Sequence, residues 1–358
     1  MAHTRPTLAD VATAAGVSVS TASLAFSGAG PIAAEPRARV LAAAADLGYS
    51  GPNPLGRSLR SGRSGIVAVV IGDQLRRSFR DPVSVQVLDG LVGRLGTMGL
   101  GVLLVPGMPG VPGDEGTVTI DPLLETAPMD VAVLIWGSRA SDPALAALRR
   151  RGVPMVIGEG PEIEGIPLVG IRDRSGTAEL VRHLRELGHE RIGTVTLPFG
   201  GERRCGAVTP ERMTELDWTP TRHRLEGFAD AGVEPVFVIE AAASLVEEGR
   251  AAGKLALDRA DRPTAVVAQS DLLAAGVLLA ARDLGLRVPQ DVSVAGFDGL
   301  DLPWLAPDVL TTVAQPLAEK GEALGEAVAQ ILAGENPPPV QLDVELRVGT
   351  TTGPPPAA

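Results

Sequence analysis

The sequence predicts an α/β protein in which three short N-terminal helices precede two lobes, each built on a doubly wound parallel sheet. Apolar residues recur at helical spacing through the first 49 residues. Short continuous apolar runs then alternate with helical segments from residue 66 to residue 296, which is typical of parallel sheets. At 358 residues, the chain is also long enough for two or three domains.

Formal charge divides the chain near the place where the helical pattern ends. Residues 1–64 carry a charge of +3, from six arginines and three acids, whereas the other 294 residues carry −14. We interpret the asymmetry as an anion-attracting unit joined to an acidic body, although six arginines in this length can arise by chance.

Composition and motifs exclude several classes of protein. The single cysteine, Cys205, excludes a disulfide framework and a cysteine-rich zinc site. No phosphate loop, dinucleotide fingerprint, HExxH or nucleophile-elbow motif is present in a suitable setting, so we predict no enzyme activity, no cofactor and no metal. The N-terminus lacks an apolar signal core and no apolar run reaches membrane length, which predicts a cytoplasmic protein with no membrane partner.

The first two helices follow a helix-turn-helix pattern. Thr7 and Asp10 have the spacing of a capping box, and Gly16 stands where a helix end needs a positive φ. Ser18 can cap the second helix, whose small residues occupy positions 19–26. This pattern places its second helix in the major groove of DNA, and a helical bundle that binds another protein is the alternative.

A third helix is predicted from about Pro36 to Leu47, with Val40, Leu41, Ala44 and Leu47 packed against the first two helices. We assign residues 1–49 to a helix-turn-helix domain. Residues 50–63 form a glycine-bearing hinge segment that is too short to be a stable helix by itself.

The stretches TLADVATAAGVS, STAS, RARVLAAAADLGY and PNPLGRSLRSGRSG closely resemble the N-terminus of the LacI/GalR family of bacterial transcription regulators. The resemblance implies that Val19, Ser20 and Thr21 meet base edges of operator DNA and that Leu59 enters the minor groove. The other DNA-binding positions that it implies are Thr7, Ser18, Ser23, Ser27, Arg37, Asn53, Arg57 and Arg60.

Three positions depart from the family pattern. Leu24 stands where the family usually has arginine, so we expect a different operator sequence. Ala33-Ala34 replaces the usual cap of the third helix. Gly56 replaces a hinge alanine at a cost of about 1 kcal/mol of helix stability, which predicts weaker hinge ordering.

The rest of the chain predicts two matching α/β halves. Gly90 in VLDGL and Gly227 in RLEGF occupy equivalent points of a faint internal repeat. Strands are predicted at residues 66–71, 101–105, 131–136, 153–157, 192–197, 236–239, 265–268 and 292–296. Helices are predicted at residues 83–95, 143–151, 176–187, 221–229 and 272–284.

Two such lobes leave a cleft at the carboxyl ends of their strands, where ligands bind. We assign residues 64–352 to this ligand-binding core and residues 353–358 to a Pro/Ala tail. The first lobe takes residues 64–170 and 316–340, and the second takes 171–315 and 341–352.

The segments ELGHERIGTV, SDLLAAGVLLAARDLGLRVPQDVSVAGFDG and LTTVAQP continue the resemblance, which implies a core like that of a periplasmic sugar-binding protein. Arg224 then matches a residue that grips ligand hydroxyls or carboxylates, and Asp298 matches an acid that accepts hydroxyl hydrogen bonds. The other ligand-binding positions are Phe79, Asp81, Trp136, Ser270 and Trp304.

Most of these positions also have a structural interpretation. Arg224 could pair with Glu226 on the surface, and Asp298 could cap the turn that follows it. Trp136 could be core filler, and Ser270 could be a helix N-cap.

We therefore predict a repressor that binds double-stranded operator DNA as a homodimer and responds to a sugar or sugar derivative held between its lobes. The C-terminus has no leucine heptads, which favours a dimer over a coiled-coil tetramer. A solute-binding protein and a sugar or nucleotide enzyme are the alternatives. The lack of a signal peptide and the attached N-terminal domain argue against a solute-binding protein. The lack of a catalytic motif argues against an enzyme.

Overall fold

The computed structural model describes residues 6–27, 30–51, 62–72, 74–107, 120–136 and 142–357. The chain folds as two compact units, Met1–Gly65 and Ile66–Ala358. Among the described residues, no single helix has the length and apolar composition that a membrane span requires. The first two helices of the N-terminal unit meet the length and composition requirement only as a pair, and their axes are bent by 105° at the break between them.

The N-terminal unit contains α1 (Leu8–Ala15), α2 (Val19–Ser27) and α3 (Ala34–Asp46). The predicted capping box is confirmed, because the Thr7 amide donates to an Asp10 carboxylate oxygen at 2.7 Å and the Asp10 amide donates to the Thr7 hydroxyl. The Thr7 amide and the Thr7 hydroxyl both donate to the Asp10 carboxylate, and these two hydrogen bonds lower the pKa of Asp10.

The turn between α1 and α2 also has the predicted chemistry. Gly16 ends α1 at φ +64°, and the Thr21 amide donates to the Ser18 hydroxyl at 3.1 Å.

The third helix differs from its prediction in two ways. It begins at Ala34, two residues early, and Ala33 provides no side-chain cap. Leu41 and Leu47 are each 40% exposed, so the prediction that both pack against the other helices is wrong. Small side chains fill the core instead, and they let the helices approach closely. The buried core consists of Val11, Ala12, Ala15, Ala22, Ala25, Val40 and Ala44.

The second unit contains two sheets. The first has the strand order β12-β5-β4-β3-β1-β2, and all of its pairings are parallel. Its strands are β1 (Ile66–Ile71), β2 (Gly101–Pro106), β3 (Val131–Ile135), β4 (Met155–Gly158), β5 (Leu168–Ile171) and β12 (Val340–Leu342). We call this sheet and the helices packed on it the first lobe.

The second sheet has the order β13-β11-β10-β9-β6-β8-β7 and is parallel except at its two edge strands. With its helices it forms the second lobe. Its strands are β6 (Ile192–Thr196), β7 (Gly206–Ala207), β8 (Val238–Glu240), β9 (Ala265–Ala268), β10 (Ser293–Asp298), β11 (Thr311–Ala314) and β13 (Glu345–Arg347). The mixed α/β architecture predicted from the sequence is confirmed.

Helices cover both sheets. Those of the first lobe are α4 (Leu75–Ser78), α5 (Pro82–Thr97), α6 (Leu123–Thr126), α7 (Pro143–Arg150) and α13 (Leu317–Leu332). Those of the second lobe are α8 (Asp173–Glu186), α9 (Pro210–Met213), α10 (Thr219–Asp230), α11 (Val246–Leu257) and α12 (Asp271–Asp283).

The chain passes between the lobes three times, after β5, after β11 and after β12. The last crossing follows Leu342, two residues beyond the boundary at residue 340 that the sequence predicts, because β12 pairs with β5 of the first sheet. Gly353, at the start of the C-terminal tail, is hydrogen-bonded to Ser293 and to the buried His189 ring.

The two glycines of the faint repeat have a common packing role. A Cβ at Gly90 would lie 2.2 Å from the Ala318 carbonyl oxygen, and one at Gly227 would lie 2.6 Å from that of Arg174. Each glycine therefore lets two helices of its lobe approach closely: α5 and α13 in the first lobe, α10 and α8 in the second.

Candidate functional site

A cavity lies between the two lobes, at the carboxyl ends of their strands. It encloses about 810 Å³ of space, including the part that is open to solvent. Gln315, at the crossing after β11, is one lining residue. The first lobe contributes Arg77, Ser78, Asp81, Val83, Ser84, Trp136 and Glu159. The second contributes Leu197, Pro198, Arg203, Trp218, Pro220, Arg224, Ala243, Ser244, Leu245, Ser270 and Asp298.

The fold brings five of the seven predicted ligand-binding residues to this cavity, namely Asp81, Trp136, Arg224, Ser270 and Asp298. Phe79 and Trp304 do not line it, and their prediction needs correction. Phe79 follows α4 and is 56% exposed, while its neighbour Ser78 is buried and faces the cavity. Trp304 is 51% exposed, because Leu305 takes the interior position of the same short turn.

Three lining residues have an unusual backbone. Trp136, Glu159 and Asp298 have φ values of +50°, +51° and +127°, and they are the non-glycine residues with positive φ in the described ranges. They stand at the carboxyl ends of β3, β4 and β10. Such conformations cost about 1–3 kcal/mol each and occur mainly where function requires a particular side-chain direction.

Arg224 is held inside the second lobe with part of its guanidinium group unsatisfied. The side chain is 3% exposed, one Nη donates to the Gln269 carbonyl, and the guanidinium lies 3.8 Å from the Phe297 ring centroid. The buried Nε has no hydrogen-bond partner. A buried donor without a partner is costly, and the carboxylate oxygen nearest to this nitrogen is Asp173 Oδ2, 4.0 Å away.

The surface pairing that we considered for Arg224 is wrong. Glu226 instead pairs with Arg174, 2.7 Å away. The nearest acids to Arg224 are Asp298 and Asp173, each 4.0 Å from a guanidinium nitrogen. Arg224 therefore directs its charge toward buried carboxylates and the cavity.

Asp298 does not cap the turn that follows it. The Leu300 amide donates to Asp271 at 2.7 Å, whereas Asp298 accepts from Gln315 Nε2 at 2.7 Å. Burial raises the pKa of Asp298 well above its usual range; the Arg224 cation opposes this rise, and the Asp271 and Asp81 carboxylates add to it.

Ser270 and Trp136 each combine two roles. The Ser270 hydroxyl caps α12 by accepting from the Leu273 amide, and it also lines the cavity. Trp136 packs against the core of the first lobe, and its indole Nε1 donates to Glu159 Oε2 at 2.7 Å.

Sequence reasoning missed two charged residues of this region. Glu159 is 7% exposed and Lys320 is 1% exposed, and Lys320 Nζ lies 2.6 Å from Glu159 Oε2. The available signals were an acid directly after the buried run MVIG and a lysine on the apolar face of α13.

Asp81 gives the site a pH dependence that can be measured. It caps α5 by accepting from the Val83 amide, and burial raises its pKa to about 6. The folded protein therefore binds more protons than the unfolded chain between about pH 4 and pH 6, so this carboxyl lowers stability as pH rises through that window.

We expect Asp81→Asn to be more stable than the wild type by about 2–3 kcal/mol at pH 7 and equal to it near pH 4. Asparagine caps helices as well as aspartate does, so the helix start is preserved. Urea unfolding at the two pH values measures the difference. An equal difference at both pH values would contradict the assignment.

The N-terminal unit presents a small polar face. Val19 is 51% exposed, and the hydroxyls of Ser20 and Thr21 each lie 2.8 Å from that of Ser18. Thr7, Ser27 and Arg37 are exposed and Ser23 is half-buried. Asn53, Gly56, Arg57, Leu59 and Arg60 lie outside the described residues, so their roles remain predictions.

Leu24 is half-buried beside the segment that joins α2 to α3. A Cβ at Gly30 would lie 3.1 Å from its Cδ2. The altered operator sequence that we expect from Leu24 remains a prediction.

Residues 7–53 match the description "bacterial regulatory proteins, lacI family", and residues 181–352 match a periplasmic binding protein-like domain. An HTH-type transcriptional regulator of Mycobacterium tuberculosis is 34% identical over 358 residues, with 98% of each chain covered. The chain belongs to the LacI family. The repressor CytR of Escherichia coli, another HTH-type regulator, is 32% identical over 89% of this chain and 87% of its own.

Solved structures agree with this membership. The transcriptional regulator CelR in complex with cellobiose is 27% identical, with a TM-score of 0.67 over 97% of this chain and all of its own. The lac repressor dimer bound to operator and the anti-inducer ONPF has a TM-score of 0.78 at 24% identity, over 98% and 100%, and shows the fold. The chain is thus a DNA-binding transcription regulator of the LacI family and not an enzyme, as predicted.

Proposed function

We propose that the chain is a repressor whose operator affinity is controlled by a sugar or sugar derivative in the cavity. The observation that carries the proposal is the pairing of a donor with an acceptor at one point. Arg224 and Asp298 both line the cavity, and an Nη of Arg224 lies 4.0 Å from Asp298 Oδ1. A sugar hydroxyl can accept a hydrogen bond from the Arg224 guanidinium and donate one to the Asp298 carboxylate.

The remaining lining supports the same class of ligand. Trp136 and Trp218 add aromatic surface beside the polar groups, and Ser244 and Ser270 add hydroxyls. Pockets of this kind combine apolar walls with a few placed polar groups that orient the ligand. The structure of CelR was solved in complex with cellobiose, so sugars are the first class of ligand to test.

The same proposal includes a homodimer on a pseudo-palindromic operator. Among the large apolar side chains that the described part of the second unit exposes, Trp304 (51%) and Val309 (58%) share a loop. Val309 is hydrogen-bonded to Thr350, two residues from the exposed Val348 (61%). A second copy of the chain would bury them. Sedimentation velocity of the full chain should show a dimer.

The linkage between the two ligands tests the regulatory function. Operator DNA must change effector affinity by the same factor as effector changes operator affinity, and we expect a factor of about 5–150. A thermal-shift screen of monosaccharides, cellobiose and nucleosides on the full chain identifies the effector, because a bound ligand raises the melting temperature.

The effector found in the screen is then titrated with and without an operator duplex selected from random DNA. A scrambled duplex at the same concentration is the control. Equal effector affinity in the presence of both duplexes would exclude regulation through this cavity.

A further inference from the structure

A line of hydrogen bonds crosses from one lobe to the other behind the cavity wall. Trp136 Nε1 donates to Glu159 Oε2 at 2.7 Å, and Lys320 Nζ donates to the same oxygen at 2.6 Å. Lys320 Nζ also donates to Gln315 Oε1 at 2.5 Å, and Gln315 Nε2 donates to Asp298 Oδ1 at 2.7 Å. The line begins at the end of β3 in the first lobe and ends on β10 in the second.

Lys320 lies at the centre of this line. A gain in stability alone does not explain why a charged lysine is buried at this position. Its side chain is 1% exposed, and Glu159 is buried with it. A buried ion pair is often no more stable than apolar residues of the same size, because both charges lose their hydration. Lys320 also lies outside the cavity lining, so it acts on the cavity through its two partners.

The line of hydrogen bonds includes the three cavity residues whose backbone is strained. Trp136, Glu159 and Asp298 are the three residues with positive φ described above, and each belongs to the line. Their side-chain directions therefore depend on hydrogen bonds that lead to Lys320.

We propose that Lys320 is a positioning residue that couples the two lobes at the cavity. It holds Trp136 in place through Glu159 and Asp298 in place through Gln315, so that a ligand touching either wall is sensed at the other. The coupling deepens the proposed function, and only its use by an effector rests on that function. The hydrogen-bonded line itself can be tested without any ligand.

The charges around Glu159 predict how the line responds when Lys320 is removed. Burial alone would raise the pKa of Glu159, but the Lys320 and Arg224 cations and the hydrogen bonds from Lys320 and Trp136 outweigh it and keep the pKa below its usual range. Lys320 faces Glu159 from α13, Arg224 from α10 and Trp136 from the end of β3. Without the ammonium group, burial dominates and the pKa of Glu159 rises.

The test uses the full chain labelled with 5-fluorotryptophan, whose three tryptophans give three ¹⁹F signals. Trp136→Phe assigns the Trp136 signal. We expect Lys320→Met to add to this signal a titration step of Glu159 at a higher pH than in the wild type, and Lys320→Met/Glu159→Gln to lack that step. Titration of Asp81 affects the Trp136 signal equally in both variants, so it does not contribute to the difference between them.

A second comparison tests transmission between the lobes. We expect Asp298→Asn to shift the Trp136 signal when Lys320 is present and to leave it in place in the Lys320→Met/Glu159→Gln background. Lys320→Arg keeps the charge, and we expect it to keep the pH profile of the wild type. The Asp298→Asn comparison removes Lys320 only in the double variant, which has no unpaired buried charge at these two positions. It can therefore be made even if Lys320→Met alone fails to fold.

The proposal is overturned by either of two results. One is a Trp136 signal with the same pH profile in Lys320→Met and in the double variant. The other is an equal Asp298→Asn shift with and without Lys320. Both results are independent of any effector, so they are distinguishable from a failure of the proposed regulatory function.

Discussion

We expect the replacement of Ala22 with aspartate to abolish operator binding by the full chain and to leave the unfolding of residues 66–358 unchanged. Ala22 is 0% exposed in a core made of two valines and five alanines. A core of this size supplies roughly 3–5 kcal/mol of stability. Burial of an unpaired carboxylate costs at least that much, so the N-terminal unit unfolds.

Fluorescence anisotropy with an operator duplex measures the loss, and scanning calorimetry reports the unfolding of the second unit. Ala42→Asp is the matched control, because Ala42 is an exposed residue of α3 and takes the same new charge. We expect the control to bind operator within a few-fold of the wild type. Operator affinity within tenfold of the wild type in Ala22→Asp would contradict the assignment of this unit to DNA binding.

Arg224→Ala should weaken effector binding by about 100-fold or more while operator affinity without effector changes only a few-fold. Truncation of one partner of a buried charged contact costs about 2–5 kcal/mol, and about 2.7 kcal/mol corresponds to 100-fold. The loss has two causes. The ligand oxygen loses its donor, and Asp298 loses the cation that opposes the rise of its pKa.

Isothermal titration of the effector measures the first quantity and anisotropy measures the second. Arg222→Ala is the control, because Arg222 belongs to the same helix, donates to the Leu216 carbonyl and does not line the cavity. Arg224→Lys keeps the charge but loses the planar set of donors, so we expect an intermediate effector affinity. Loss of operator binding in Arg224→Ala would instead make Arg224 a structural residue.

The sequence was most informative where the structure depends on residues that are close to one another along the chain. The capping box of Thr7 and Asp10, the positive φ of Gly16 and the Ser18 cap all join groups within a few residues of one another. Strands such as β1 and β3 were likewise predictable, because a strand buried on both faces requires a continuous apolar run. The sequence prediction did not include β5, β7, β11, β12 and β13.

The cavity was predictable only in part. Family resemblance pointed to Arg224, Ser270 and Asp298, which line the cavity, because each belongs to a motif whose strand or helix was already evident. It could not place Phe79 or Trp304, because the direction of a side chain in a short turn depends on which neighbour the core accepts. In both turns the neighbouring residue took the interior position.

The charged network between the two lobes was decided by tertiary structure alone. Glu159 and Lys320 are 161 residues apart, and they meet because β4 and α13 pack within one lobe. A lysine among apolar helix positions gives no indication of its partner in sequence, since burial of its charge is tolerable only beside a carboxylate that the fold supplies. The sequence by itself thus determined the local caps, most of the central strands and the family. Packing determined which charges face the cavity and which residues join its two walls, because those contacts form only when distant segments share one core.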